Sequence, residues 1–142
     1  MRWTGRLLIV LALTSLGCAR GDWISETMTL VDVTGTWEGS VRYLGPSGGS
    51  LELQTRWVLQ QKGGKVTGDV QESGAAGFIE GLVNGEVFRF KLNRKGRFTS
   101  SLSYNGEGTV ALDEMNGRAD GPGCPCTLRL RRVSTEAIKE KQ

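Results

Sequence analysis

Histidine is missing from this 142-residue chain. Its absence removes the commonest general base near neutral pH and the commonest transition-metal ligand. Long apolar runs are missing too. The run Leu7–Leu13 ("LLIVLAL") is far short of the ~20 residues a membrane-spanning helix needs. There is little excess charge: the formal net charge is +3, and Arg2 and Arg6 at the extreme N-terminus account for most of it. Beyond residue 17 there remain 16 basic and 15 acidic groups. A near-neutral remainder provides no electrostatic case for nucleic acid, which requires a clustered positive face. Proline is scarce at 3 residues, whereas glycine reaches 21. With abundant Val, Leu, Thr and Ser, that balance favours a turn-rich β protein over disorder. Helical periodicity is not found before the last few residues.

Arg2 and Arg6, the short apolar run and the small residues "TSLGC" (Thr14–Cys18) together describe an export signal. The last five resemble the lipobox of bacterial lipoproteins, with Ser15 where that motif more often has leucine. The resemblance implies cleavage after residue 17, diacylation of Cys18 and a membrane held through its acyl chains rather than spanned. Ala19 in place of aspartate implies, by the sorting rule of such lipoproteins, the outer membrane. The other reading is an ordinary secretory signal with a chance cysteine. The expected organisation is a signal peptide over 1–17, a lipid-anchored tether over 18–33, a β domain over 34–133 and a tail over 134–142 with one or two helical turns. The 125 residues from Cys18 onward suit one domain with a single core.

From Gly35 the pattern has period two. In "GTWEG", Gly35–Gly39, two of five strand positions are glycine, although glycine weakens strand interiors. Gly35, Trp37, Gly39, Val41 and Tyr43 share one face. Leu51–Gln60, Val66–Val70, Ile79–Val83, Phe88–Leu92, Phe98–Leu112, Met115–Asp120 and Thr127–Arg132 follow as strands. They are separated by "GPSGG", "KGGK" and an "NGE" turn expected to be type I′. Val66, Ile79, Tyr104 and Met115 each precede a same-face glycine by two residues. Inner-face glycines permit the coiling a barrel requires. Eight short strands joined mostly by hairpins predict an all-β, antiparallel up-and-down meander closing into a barrel. A generic β-sandwich with a core tryptophan is the alternative.

Gly35-Thr36-Trp37 resembles the G-x-W motif of the lipocalins and the wider calycin group. The resemblance implies that Trp37 plugs one end of the barrel and that an arginine from the last strand packs across it. Arg132 shares parity with Leu128 and Leu130 and fits that role, with cation–π energy on the order of 1 kcal/mol. The later lipocalin loop motifs and the usual disulfide to the C-terminal region are not present, nor is a set of biotin-contacting residues.

Two further features can carry chemistry. Cys124 and Cys126 ("CPC") would pair only through a turn around Pro125, because same-face residues of an extended strand stand ~6.5–7 Å apart. A structural staple, free or intermolecular thiols, and a redox or copper site all remain open. Inward parity places Trp57, Phe88, Phe90, Phe98 and Tyr104 inside the barrel. There they either line a calyx for a small hydrophobic ligand or lipid, or fill a narrow core; Thr55 and Gln61 give Trp57 polar company. Glu38, Asp69, Glu80 and Asp113–Glu114 form no acid/base pair, and Ser100, Ser101 and Ser103 have no activating partner. No enzyme activity, cofactor or metal is expected. The expected role is non-catalytic binding of a hydrophobic ligand, with an envelope protein-interaction or inhibitor module as the alternative and thiol or metal handling behind it.

Overall fold

The computed structural model describes residues 29–96 and 101–136. The signal segment, Cys18, most of the expected tether, Phe98 and residues 137–142 lie outside that range. Eight strands follow one another as β1 (Gly35–Leu44), β2 (Ser50–Lys62), β3 (Lys65–Glu72), β4 (Ala75–Asn84), β5 (Val87–Gly96), β6 (Leu102–Ala111), β7 (Glu114–Asp120) and β8 (Cys126–Ser134). Each is antiparallel to its sequence neighbours, and β8 pairs back onto β1 to close the barrel. Every strand pair is thus local except the closing one. The sandwich alternative is excluded, since a closed barrel leaves no edge.

Alternation decides which side chains fill the interior. Trp37, Trp57, Leu59, Val66, Val70, Ile79, Val83, Phe88, Phe90, Val110, Met115, Leu128 and Leu130 are buried in one cluster. Their strand neighbours face out and carry charge on all eight strands. Many of these outer charges meet across strands, as in Arg42–Glu52 at 3.5 Å, Arg56–Glu38 at 3.6 Å and Glu107 with both Arg89 (3.7 Å) and Arg118 (3.1 Å). Exposed pairs of this kind contribute little stability. They do distinguish this wall from the apolar, lipid-facing band of a membrane-spanning barrel.

The glycines of "GTWEG" sit where β1 meets β8. Gly35 has φ +132°, outside the usual range of L side chains, and a Cβ at Gly39 would collide with the Arg129 carbonyl oxygen. Trp37 stands between them, paired with Trp57 on one side and Arg132 on the other. The ladder slips by one residue between Thr36 and Trp37, so Val133 bulges outward. Such a bulge strengthens local twist and aims its neighbours inward.

Three details differ from the sequence expectations. The turn after β4 has positive φ at Gly85 but not at Glu86, which is the type II′ pattern rather than I′. Strand β6 ends at Ala111, so Leu112 lies in the turn; Phe98–Ser100 fall outside the described residues. The C-terminal segment shows no helix among its described residues, where Ser134 is the last residue of β8.

Leu112 has φ +55° and is 89% exposed. A β-carbon in the left-handed region costs on the order of 1–2 kcal/mol. Leu112→Gly is therefore expected to raise stability by about 1 kcal/mol after allowing for the freer unfolded chain. Urea denaturation followed by tryptophan fluorescence checks this, and an unchanged or lower midpoint contradicts it.

Candidate functional site

The barrel has two unlike ends. At the first, where β1 begins and β8 finishes, the segment 31–34 lies across the opening. Val31 N–H donates to the Gly85 carbonyl at 2.9 Å and Val33 N–H donates to Gln61 Oε1 at 2.8 Å. Val33 is buried with the core, and its carbonyl accepts from Trp37 Nε1 at 2.9 Å. The expected domain boundary at residue 34 therefore lies just inside this strap. The Arg132 guanidinium carbon sits 4.5 Å from the Trp37 ring centroid. Its two terminal nitrogens donate to the Thr34 carbonyl (2.9 Å) and the Asp32 carbonyl (2.7 Å). Its Nε stands 3.1 Å from Asp113 Oδ1 but is not aligned for a hydrogen bond. Gly35, Trp37 and Arg132 thus meet here, and this end is closed.

The second end is the mouth. Three inward-facing side chains from alternate strands converge there: Tyr43 of β1, Glu72 of β3 and Arg94 of β5. The Tyr43 hydroxyl donates to Glu72 Oε1 at 2.9 Å, Arg94 Nη1 donates to Tyr43 Oη at 2.8 Å, and Arg94 and Glu72 form an ion pair. The side chains are 21% (Arg94) and 5% (Glu72) exposed, so the pair is largely out of water. The Arg94 guanidinium also lies 5.8 Å from the ring centroids of both Tyr43 and Tyr104. Burial is the largest single influence and opposes its charge, but the Glu72 carboxylate together with Tyr43 and Tyr104 outweighs it, and the net effect holds Arg94 more firmly protonated than usual. Nothing singled these three out beforehand. Each ends an inward-facing alternation, after Val41, Val70 and Leu92 respectively, and that parity was the available signal.

Beneath this latch is a cavity of about 20 Å³ lined by Trp57, Phe90, Leu92, Tyr104 and the two late cysteines, among others. That is room for about one water molecule. Trp57 donates through Nε1 to Thr55 Oγ1 at 3.0 Å and meets Phe90 edge-on at 5.2 Å. Of the sequence candidates, Trp57, Phe90 and Tyr104 line the cavity. Phe88 lies deeper, fully buried, and Phe98 is outside the described residues. Gln61 is at the other end, on the strap, and not beside the mouth.

Cys124 and Cys126 form a disulfide with a Cα–Cα separation of 4.7 Å. The turn that permits it is held by Cys124 N–H donating to the Gly121 carbonyl at 3.0 Å. The staple forms part of the cavity wall. Among the described residues, no group of three or more His, Cys, Asp or Glu side chains is placed to hold a metal.

Tyr43 gives this end a signature. Burial first, and then the Glu72 carboxylate, push its phenol above the ordinary 10.0. Above pH ~10 the unfolded phenol loses its proton while the folded one keeps it, so the unfolded state binds fewer protons and stability falls as pH rises. The contribution is complete below that pH and is lost above it at up to about 1.4 kcal/mol per unit. Tyr43→Phe is expected to flatten this slope in urea titrations at alkaline pH. An equal slope in both proteins contradicts the assignment.

Comparison of the chain with family models, with curated proteins and with solved structures returns no match in any of the three.

Proposed function

We propose that the chain is an exported, acyl-anchored protein of a bacterial envelope, sorted to the outer membrane by Ala19 after Cys18, and that its barrel is a filled, non-catalytic binding module. The anchor reading rests on the basic start, the short apolar run and Cys18 within "TSLGC". The module reading rests on the interior. About 20 Å³ of free space contrasts with the roughly 300–1,000 Å³ of ordinary small-molecule sites. A barrel packed this way offers a partner its mouth and loops. There, exposed Leu44 and Leu51 flank the 45–49 loop beside the Tyr43–Glu72–Arg94 latch, a surface suited to an envelope protein.

One observation favours the second reading, capture of a small hydrophobic compound or the end of a lipid. Trp57, Phe90 and Leu92 form an apolar floor directly under the latch, so opening the latch would lengthen an existing void rather than create one. Native mass spectrometry of the acylated full chain, released from detergent before and after delipidation, separates the two. The expected spectrum carries only the covalent acyl mass. An additional lipid-sized mass that leaves on extraction, with a shift in tryptophan emission, overturns the filled-module reading in favour of the calyx.

A further inference from the structure

Leu112 combines two costs: a left-handed backbone that disfavours any β-carbon, at φ +55°, and near-complete exposure of an apolar side chain. Strain of this kind persists where it serves a purpose. Leu112 is not alone. At the same end of the barrel, Val133 on the bulge of β8 is 56% exposed and Leu30 on the entering segment is 36% exposed. Leu112 and Val133 flank Arg132, which bonds the 113 carbonyl through its own N–H at 2.8 Å. The rim charges around them nearly cancel: Lys62, Lys65 and Arg131 stand against Asp32, Glu86, Glu114 and Glu136, with Arg132 and Asp113 paired.

The chain also enters the fold at this end. Thr29 is the first described residue, and Val31 is already bonded to Gly85 in the turn between β4 and β5. Cys18 is eleven residues before Thr29, a reach of at most ~40 Å. That length permits several orientations of the barrel; the mouth also exposes Leu44 and Leu51, but the chain enters at the closed end, where the most exposed apolar side chain, Leu112, also stands. We propose that the closed end is a docking surface for the lipid bilayer that holds the anchor, with Leu112, Val133 and Leu30 entering the headgroup boundary. The inference rests on the acyl-anchor reading of Cys18. Because the rim is close to neutral, the contact is apolar and insensitive to salt. It leaves the Tyr43–Glu72–Arg94 mouth pointing away from the membrane, toward soluble or opposing-surface partners.

The test uses the acylated full chain in phosphatidylcholine vesicles with brominated or ordinary acyl chains. Leu112→Trp and Val133→Trp report the closed end and Leu51→Trp the mouth, each read as emission added over the parent. Tryptophan at 112 or 133 is expected to lose about half or more of its added emission in brominated vesicles, as a side chain at the acyl boundary does. At 51 no loss is expected, and raised salt changes neither result. Quenching at 51 instead, or at none of the three while the protein floats with the vesicles, overturns the docking and leaves the anchor standing. Failure of the parent chain to float, matching its Cys18→Ser variant, overturns the anchor and the docking with it.

Discussion

Arg132→Ala is expected to destabilise the barrel by about 3 kcal/mol, from the loss of charge-assisted hydrogen bonds and a cation–π contact at a nearly desolvated site. The side chain is 10% exposed, and one guanidinium serves five groups: the Trp37 face, the Thr34, Asp32 and Leu112 carbonyls and the Asp113 carboxylate. The strap over 31–34 is also bonded to Gly85 and Gln61, but Arg132 supplies its side-chain bonds to the closing strand. Removing them also exposes the rim of Trp37, whose Nε1 depends on the Val33 carbonyl. For a domain of this size, 3 kcal/mol corresponds to a fall in Tm of roughly 12 °C. Arg132→Lys keeps the charge and the aliphatic stem but not the planar fork, and it is expected to recover less than half of the loss. Thermal and urea denaturation of the three proteins decide it. A loss under about 1 kcal/mol would show that the strap holds without Arg132, by the packing of Val33 and the strap's own bonds to Gly85 and Gln61.

The same residue shows how much of this fold is legible in the sequence. Period-two alternation identifies the inward residues of most strands, because a side chain's face is fixed by its position modulo two. Trp37 and Arg132 stand opposite each other in the closing pair, and both have inward parity. Alternation does not report how far along the barrel a residue lies. Leu51 has inward parity but lies beyond the mouth, exposed, while Phe88 is at full depth. Nor does it report turn geometry, which is why the Gly85 turn and the strained Leu112 emerge only from the backbone. The free volume inside is the least legible quantity. It is a small difference between the barrel's bore and the summed volumes of its large side chains. The Phe90 ring, for instance, lies against Gly106 on the neighbouring strand, and a larger residue there would displace it.

The mouth cluster was hidden for a different reason. Glu72 and Arg94 are charged, and charged residues near strand ends are ordinarily solvated. Their inward parity was readable, but the pairing of β3 with β5 across the bore was not, since those strands are not neighbours in the sheet. Only closure of the barrel brings the two side chains and Tyr43 together.

Glu72→Ala is expected to cost about 3 kcal/mol, because it strands a largely buried guanidinium. Arg94 would keep the Tyr43 hydroxyl as an acceptor at 2.8 Å, but its Nε already has no partner among the described residues. The double variant Glu72→Leu/Arg94→Met is the informative one. Replacing a buried ion pair by apolar groups of similar size is often neutral or stabilising, and here the new side chains would lie against Leu92, Val70 and the disulfide. The double variant is therefore expected to be at least as stable as the parent, while Glu72→Ala is much less so. If that pattern appears in urea denaturation, the latch is not needed to hold the barrel together, and a desolvated ion pair placed at the mouth without a stabilising role speaks for recognition. If the double variant is as unstable as the single one, the Tyr43–Glu72–Arg94 bonds themselves tie β1, β3 and β5 together at the open end. The mouth would then be a structural closure matching Trp37 and Arg132 at the other end, and a partner would have to be sought on the loops alone.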